Sequence, residues 1–158
     1  MAAGAVRSSI RGLRSLLVDI YPPSLGRAGL AQALRDLTES PTGRDLDVHL
    51  EVDVAAEQAL DDEGQRLVFR VAQECLRNAA RHARATRVDV VVRAEPGRVL
   101  LEVDDDGAGF DADAVLHAPE HGHFGTRVLA DHVSAAGATL LLSTAPGAGC
   151  RWRMEVPA

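Results

Sequence analysis

The hydrophobic positions of this chain change period several times along its length. Residues 5–20, AVRSSIRGLRSLLVDI, place Val6, Ile10, Leu13, Leu17 and Ile20 at alternating steps of four and three. That seam has the heptad spacing of a coiled coil or helical bundle. It stops at Pro22 and Pro23, which cannot continue a helix. So short a seam is marginal by itself. It either packs on its own domain or is the stub of a dimerisation hairpin whose first helix lies elsewhere. A period of about 3.5 residues favours the stub.

Further along, Leu30, Ala33, Leu34 and Leu37 form one face and predict a helix at about 27–38. SPTGRD (40–45) reads as a turn. DVHLEVDV (47–54) alternates strictly, which predicts a half-buried strand with Val48, Leu50, Val52 and Val54 on one side. A long helix is predicted from Asp61 to Ala83, acidic at its start and basic at its end. TRVDVVVRA (86–94) and RVLLEVDD (98–105) flank Glu95-Pro96-Gly97 as a hairpin. Residues 106–124 have no strong period, and a loop of that length is usually functional. Gly125 opens another helix to about Ala136, closed by Gly137. ATLLLST (138–144), APGAG and CRWRMEV (150–156) form a C-terminal hairpin. This order predicts an α+β fold: two layers, with helices on one face of a mixed, mostly antiparallel sheet.

Composition narrows the function. The 158 residues suit one domain with a short appendage, and 46% apolar content suffices for a core. All 17 basic residues are arginine, yet the net charge is −6. That balance excludes a nucleic-acid surface and leaves no basic patch for a membrane. Aromatic residues are 3% of the chain, too few for a base-stacking platform. Cys75 and Cys150 have no metal-ligand spacing and suggest a reducing compartment. No apolar run approaches the roughly 20 residues of a membrane span, and no signal peptide is evident.

Two features carry chemistry. On the long helix, Glu74, Asn78 and His82 recur at i, i+4 and i+8 along one edge of the apolar arc. A carboxylate beside an amide oxygen suits a hydrated magnesium ion, so Glu74 and Asn78 are candidate ligand-site residues. For His82 alone an internal hydrogen bond is the simpler reading. In the strand 98–105, Val99, Leu101, Val103 and Asp105 share one face. Parity turns Asp105 toward the core and Asp104 and Asp106 outward. An inward carboxylate is costly unless it meets a donor. Gly107 and Gly109 then allow close backbone approach or a positive φ. The acids are contiguous, so a calcium loop with alternating ligands fails; a plain turn remains the alternative.

Taken together the motifs resemble a known family. QECLRNAARHARAT (73–86) resembles the N box of a sensor histidine kinase. DDGAGF (105–110) resembles the first glycine box, GHFGTRVLADHV (122–133) the next, and STAPGAGC (143–150) the last. LLVDIYPPSL (16–25) looks like the junction between dimerisation helix and kinase domain. The resemblance is to histidine kinases of the nitrate-sensor and DesK type, with the Bergerat ATP-binding fold shared with gyrase, Hsp90 and MutL. It implies residues 1–23 as a remnant of the dimerisation helix, 24–158 as the catalytic domain, and a lid at about 111–124. ATP and Mg²⁺ are the implied cofactors. Asp105 would accept a hydrogen bond from the adenine amino group, and Asn78 would hold magnesium. Glu74 would be the catalytic acidic residue. Arg81 and His82 would lie near the phosphates. Gly107 and Gly109 would shape the adenine end. Gly122, His123, Phe124, Gly125 and Thr126 would form the lid's closing segment, and the helix opening at Gly125 suits an anion.

The chemistry implied is phosphoryl transfer to a histidine, resting on positioning and charge neutralisation. The family's phosphoacceptor lies ahead of the seam at 6–20, and none of the histidines at 49, 82, 117, 121, 123 and 132 has such a context. The chain alone is therefore expected to bind ATP without autophosphorylating. Its implied partners are the dimerisation domain of its own kinase, which is homodimeric, and a response regulator. The implied location is cytoplasmic, alone or as the cytoplasmic part of a membrane-bound sensor. Two positions depart from the family pattern. Cys150 replaces the usual threonine or serine, which supports water around adenine, and Thr126 replaces a frequent leucine. His117, His121 and His123 are too loosely spaced for zinc and read as solvated lid residues. An anti-sigma-type serine kinase on the same fold and a nucleotide-binding module without catalysis are the competing readings; the heptad stub and the YPPSL junction favour the sensor histidine kinase over the serine kinase, and Cys150 is the best support for the module.

Overall fold

The computed structural model describes residues 25–40, 46–111 and 124–158, and only the backbone of His82 and of 124–128. The heptad helix, the Pro22-Pro23 junction, most of the 40–45 turn and the lid from 112 to 123, with Gly122 and His123, lie outside the described residues. Among the described residues no helix is long and apolar enough to cross a membrane.

Helix α1 (Leu25–Thr38) presents Leu30, Ala33 and Leu34 to the core, as its periodicity predicts. It kinks at Gly29, and the Glu57 carboxylate receives the Ala31 N–H at 3.2 Å beyond the kink. Strand β1 (Asp47–Val52) is shorter than its alternation predicts. Asp53 accepts the Ala55 N–H at 2.9 Å and so caps a short helix, α2 (Val54–Ala59). Val54 therefore leaves the strand pattern and stands 68% exposed. Helix α3 (Asp62–Asn78) starts one residue after its N-cap, Asp61, whose carboxylate accepts the Gly64 N–H at 2.7 Å. Asp62 and Glu63 add negative charge to that positive helix end.

Strands β2 (Arg87–Glu95) and β3 (Arg98–Asp105) form the predicted hairpin. Helix α4 (Phe124–Ala135) follows, then β4 (Thr139–Thr144) and β5 (Cys150–Pro157). The sheet runs β1-β2-β3-β5-β4, with β1 parallel to β2 and every other pair antiparallel. Helices cover one face, giving the two-layer α+β architecture.

The core lies between the layers. Leu30, Leu34, Val68, Val71 and Leu76 meet Val88, Val90, Val92, Val99, Leu101 and Met154 there, all essentially excluded from solvent. Leu100 points the other way and is still fully buried. Its cross-strand neighbours are Arg93 and Glu155. Arg93 pairs with Glu102 at 2.7 Å and Arg98 with Glu155 at 3.1 Å. Exposed ion pairs each contribute only about 0–1 kcal/mol. Here they lie in register around a fully buried leucine, whose burial is worth about 1.5–3 kcal/mol. The outer face is thus closed by charge pairs, and the helix-covered face holds the site.

Candidate functional site

Asp105 ends β3 on the helix side, as strand parity predicts. It is 8% exposed and the only buried charged residue among those described. Its partners there are backbone N–H groups: Gly107 at 2.9 Å, and Cys150 opposite it in the β3–β5 pairing. Burial raises the Asp105 carboxyl above its ordinary pKa, and the two N–H groups only partly offset this. A carboxylate with spare acceptor capacity and no cation suits a neutral donor, such as an amino group on a heterocycle.

The flanking aspartates differ. Asp104 faces out and pairs with Arg151 across the sheet. Asp106 is also exposed, but it is not idle. Its carboxylate accepts the N–H groups of Thr86 (2.7 Å) and Arg87 (2.9 Å) and the Thr86 hydroxyl (2.6 Å). The Arg87 N–H first, then Thr86, hold the Asp106 carboxyl down to a pKa of about 2. A depressed carboxyl adds stability above its ordinary pKa and loses it as pH falls through about 2. Asp106→Asn is therefore expected to lower the melting temperature at pH 7 relative to wild type, with the gap closing toward pH 2. Melting curves across that range test it; identical curves at pH 7 would contradict it.

Asp106 anchors the segment that leaves the long helix. That helix does not stay α-helical to Ala83: a π-helical turn occupies Ala79–Ala83 and Arg84 takes a left-handed conformation at φ 51°. Such widened turns are rare and gather at functional sites. Ala83 O accepts the Ala108 N–H at 2.7 Å, tying the helix end to the loop after Asp105. Gly107 lies against Ala83, with no room for a Cβ. The α-helical geometry of that helix therefore ends at Asn78, and the backbone that carries Arg81 and His82 is π-helical.

Glu74 and Asn78 are both half-buried on the last turns of α3. Glu74 pairs with Arg77 at 3.3 Å, a partner the sequence did not single out. The Asn78 carboxamide does not cap the following turn. A half-buried amide oxygen one turn from a carboxylate is a donor set for a hard, oxygen-seeking cation. Arg81 is exposed in the π-helical turn, and His82 shares that turn. Phe124, Gly125 and Thr126 form the first turn of α4.

The two glycine boxes flanking β3 and β5 interlock. Gly147 donates its N–H to Ala108 O at 2.6 Å. Gly109 (φ 57°) lies against the carbonyls of Ala145 and Gly149. Gly149 (φ 70°) lies against the carbonyl of Asp105. These glycines make room for each other's backbones. Thr144, at the end of β4, joins the same contact: its hydroxyl accepts the Phe110 N–H at 3.1 Å and donates to Gly149 O at 2.8 Å. Cys150 is buried beside Asp105, with its sulfur 3.2 Å from that hydroxyl. Burial pushes the Cys150 thiol pKa up, and that of Cys75 further. Both are poor nucleophiles. Asp105, Gly107, Gly109 and Cys150 thus form one contact set, and the Ala83–Ala108 bond links it to the helix of Glu74 and Asn78. Thr144, Thr86 and Arg77 were missed. Hairpin register would have found Thr144, since it pairs with Cys150.

Comparisons with known proteins agree with this fold. Residues 63–158 match the family described as histidine kinase-, DNA gyrase B- and HSP90-like ATPases. The sensor histidine kinase NarS of Mycobacterium tuberculosis is 28% identical over 146 residues, 92% of this chain and 33% of that protein. The methanol utilization control sensor protein MoxY of Paracoccus denitrificans is 33% identical over 145 residues, 88% of this chain and 32% of that protein. The chain thus spans about a third of the length of these curated relatives. The histidine kinase domain of a blue-light activated kinase from Erythrobacter litoralis superposes with a TM-score of 0.65 at 25% identity, covering 82% of this chain and 59% of that one. The chain belongs to the histidine kinase-, DNA gyrase B- and HSP90-like ATPase family, as an ATP-binding catalytic domain of the sensor histidine kinase type.

Proposed function

We propose that this domain binds MgATP across β3, α3 and α4 and delivers its γ-phosphoryl group to a histidine on a dimerisation domain. A response regulator would then receive the group. The observation that carries this reading is Asp105: a buried carboxylate, held by backbone N–H groups, at the mouth of two interlocked glycine boxes. Its free acceptor positions match the amino group of adenine.

The remaining residues divide the work. Asn78 would ligate magnesium through its amide oxygen, with Glu74 in reach of the reacting groups. Bound magnesium supplies neutralisation of charge on the phosphate oxygens. The N-terminal N–H groups of α4 would stabilise negative charge on the phosphates, and Arg81 and His82 in the π-helical turn would act at the same end. Gly122 and His123 would complete the lid segment over the phosphates. Holding the nucleotide in line with its acceptor is the main contribution, because orientation alone removes much of a bimolecular barrier. We assign residues 24–158 to the catalytic domain and 1–23 to the end of the dimerisation helix, in a homodimeric kinase.

Asn78→Ala is expected to leave ATP binding measurable but insensitive to magnesium. Calorimetric titration with and without the metal reads this, and an unchanged magnesium effect would remove Asn78 from the role. For the overall reading, the chain is mixed with a separate dimerisation domain and labelled ATP. Acid-labile phosphohistidine is expected. A stable phosphoserine product would instead make this a serine kinase on the same fold.

A further inference from the structure

We infer that Thr144 is a positioning residue of the nucleotide pocket, which fixes the Cys150 thiol and the Asp105 loop together and thereby sets base discrimination. The inference rests on the reading that Asp105 meets the amino group of the base.

The argument begins with the capacity of one hydroxyl. It has one hydrogen to donate and two lone pairs to accept with. Thr144 gives its hydrogen to Gly149 O at 2.8 Å and takes the Phe110 N–H at 3.1 Å. Cys150 Sγ is 3.2 Å away, and either atom could donate in that contact. With the hydroxyl hydrogen already placed, the thiol hydrogen takes the second lone pair. The hydroxyl is then saturated, and the thiol hydrogen points at Thr144 instead of into the pocket.

Two consequences follow. First, the hydroxyl binds three points of the interlocked boxes at once: the end of the Asp105 loop, the β4–β5 turn and the first residue of β5. Asp105 sits inside that frame, paired with Cys150 across the sheet. Second, neither the Thr144 hydroxyl hydrogen nor the Cys150 thiol hydrogen is left to donate beside Asp105. A base with an amino group there satisfies Asp105. A base with a carbonyl oxygen at that position would face a carboxylate, with neither the thiol nor the hydroxyl hydrogen available to relieve it. Cys150 held by Thr144 therefore makes this pocket depend on Asp105.

Thr144→Val removes the hydroxyl but keeps the branched shape. It leaves Phe110 N–H and Gly149 O without this partner, and it frees the thiol hydrogen to turn toward the base. The expected result is MgATP binding weakened by about tenfold, the loss typical of unsatisfied part-buried groups. MgGTP should change less, so the ATP-to-GTP affinity ratio narrows. Thr144→Ser, which restores the hydroxyl, should return both affinities and the ratio to within about threefold of wild type.

The experiment titrates MgATP and MgGTP against wild type, Thr144→Val, Thr144→Ser and Asp105→Asn, with Thr144→Ala replacing the valine variant if that does not fold. A narrowed ratio rescued by serine supports the inference. Equal losses for both nucleotides, no loss, or a serine variant that fails to rescue would each overturn it. If Asp105→Asn discriminates and binds as wild type does, or wild type binds no nucleotide, the Asp105 reading itself fails and takes this inference with it. If Asp105→Asn abolishes binding while Thr144→Val behaves as wild type, only the role of Thr144 is lost.

Discussion

Asp105→Asn abolishes adenine nucleotide binding while leaving the melting temperature of the free domain no lower than wild type. The two halves of this expected result have one cause. The Asp105 carboxyl is buried and its pKa is raised by desolvation. An acid with a raised folded pKa costs nothing while both states are protonated and becomes destabilising as pH climbs through that pKa. At neutral pH the site therefore carries a standing penalty for keeping the charge. Asparagine removes the penalty and still offers Oδ1 to the Gly107 N–H. Binding suffers because the amide turns a donor toward another donor, the amino group of the base. A hydrogen bond to a charged group is worth about 1.5–3 kcal/mol, a factor of roughly ten to a hundred and fifty. An unrelieved donor pair adds to that. Wild-type binding should also weaken on acidification, beginning above the ordinary carboxylate range, as Asp105 takes up its proton. Asp104→Asn is the control, since it loses only an exposed ion pair with Arg151. Calorimetric titration paired with thermal melts reads both halves. Equal binding loss in both variants would refute the assignment of Asp105 as the adenine reader.

Gly149→Ala should be strongly damaging. Its φ of 70° carries a strain cost of roughly 1–3 kcal/mol for a residue with a Cβ. The added carbon would also collide with the backbone carbonyl of Asp105, which is anchored in the middle of the sheet and cannot yield as a side chain would. Either the β4–β5 turn lifts away or the end of β3 moves, and both displace Asp105. Gly97→Ala separates the two costs. Gly97 has φ 74° but nothing within 4 Å of an added Cβ. It should lose stability modestly and bind ATP normally. Gly149→Ala should melt several degrees lower still, at roughly 2–4 °C per kcal/mol for a chain of this size, and should bind ATP at least about tenfold more weakly if the lost frame costs one charged hydrogen bond. If the two variants melt and bind alike, the interlock of the boxes is not what positions Asp105.

How much of the site was legible beforehand depends on the range of each interaction. The inward turn of Asp105 needed only the period of a strand, because side chains alternate regardless of what lies opposite. Helix ends were readable from Asp61 and Gly137 for the same local reason. The strand over 47–54 overran because Asp53 spends its carboxylate on the Ala55 N–H, a choice that alternation does not reveal. The change from α-helix to π-helix after Asn78 was not readable, because a π-helical turn has no signature in the apolar pattern. That turn lies beside the Ala83–Ala108 bond, a contact between residues 25 apart in sequence. Asp106 looked like a solvated neighbour, yet its carboxylate gathers Thr86 and Arg87 from 20 and 19 positions away.

By itself, then, the sequence determined the α+β architecture, the order of elements apart from α2, and Asp105 as the inward acid among three. These follow from periodicity and local capping, which a chain carries wherever it folds. Only the tertiary structure decided what Asp105 stands within. The interlock of Gly109 with Gly149, the three-way use of the Thr144 hydroxyl, and the widened turn after Asn78 all arise where distant segments meet. Each is fixed by mutual exclusion of backbone atoms or by hydrogen bonds across the sheet, and those forces act only once the layers have packed.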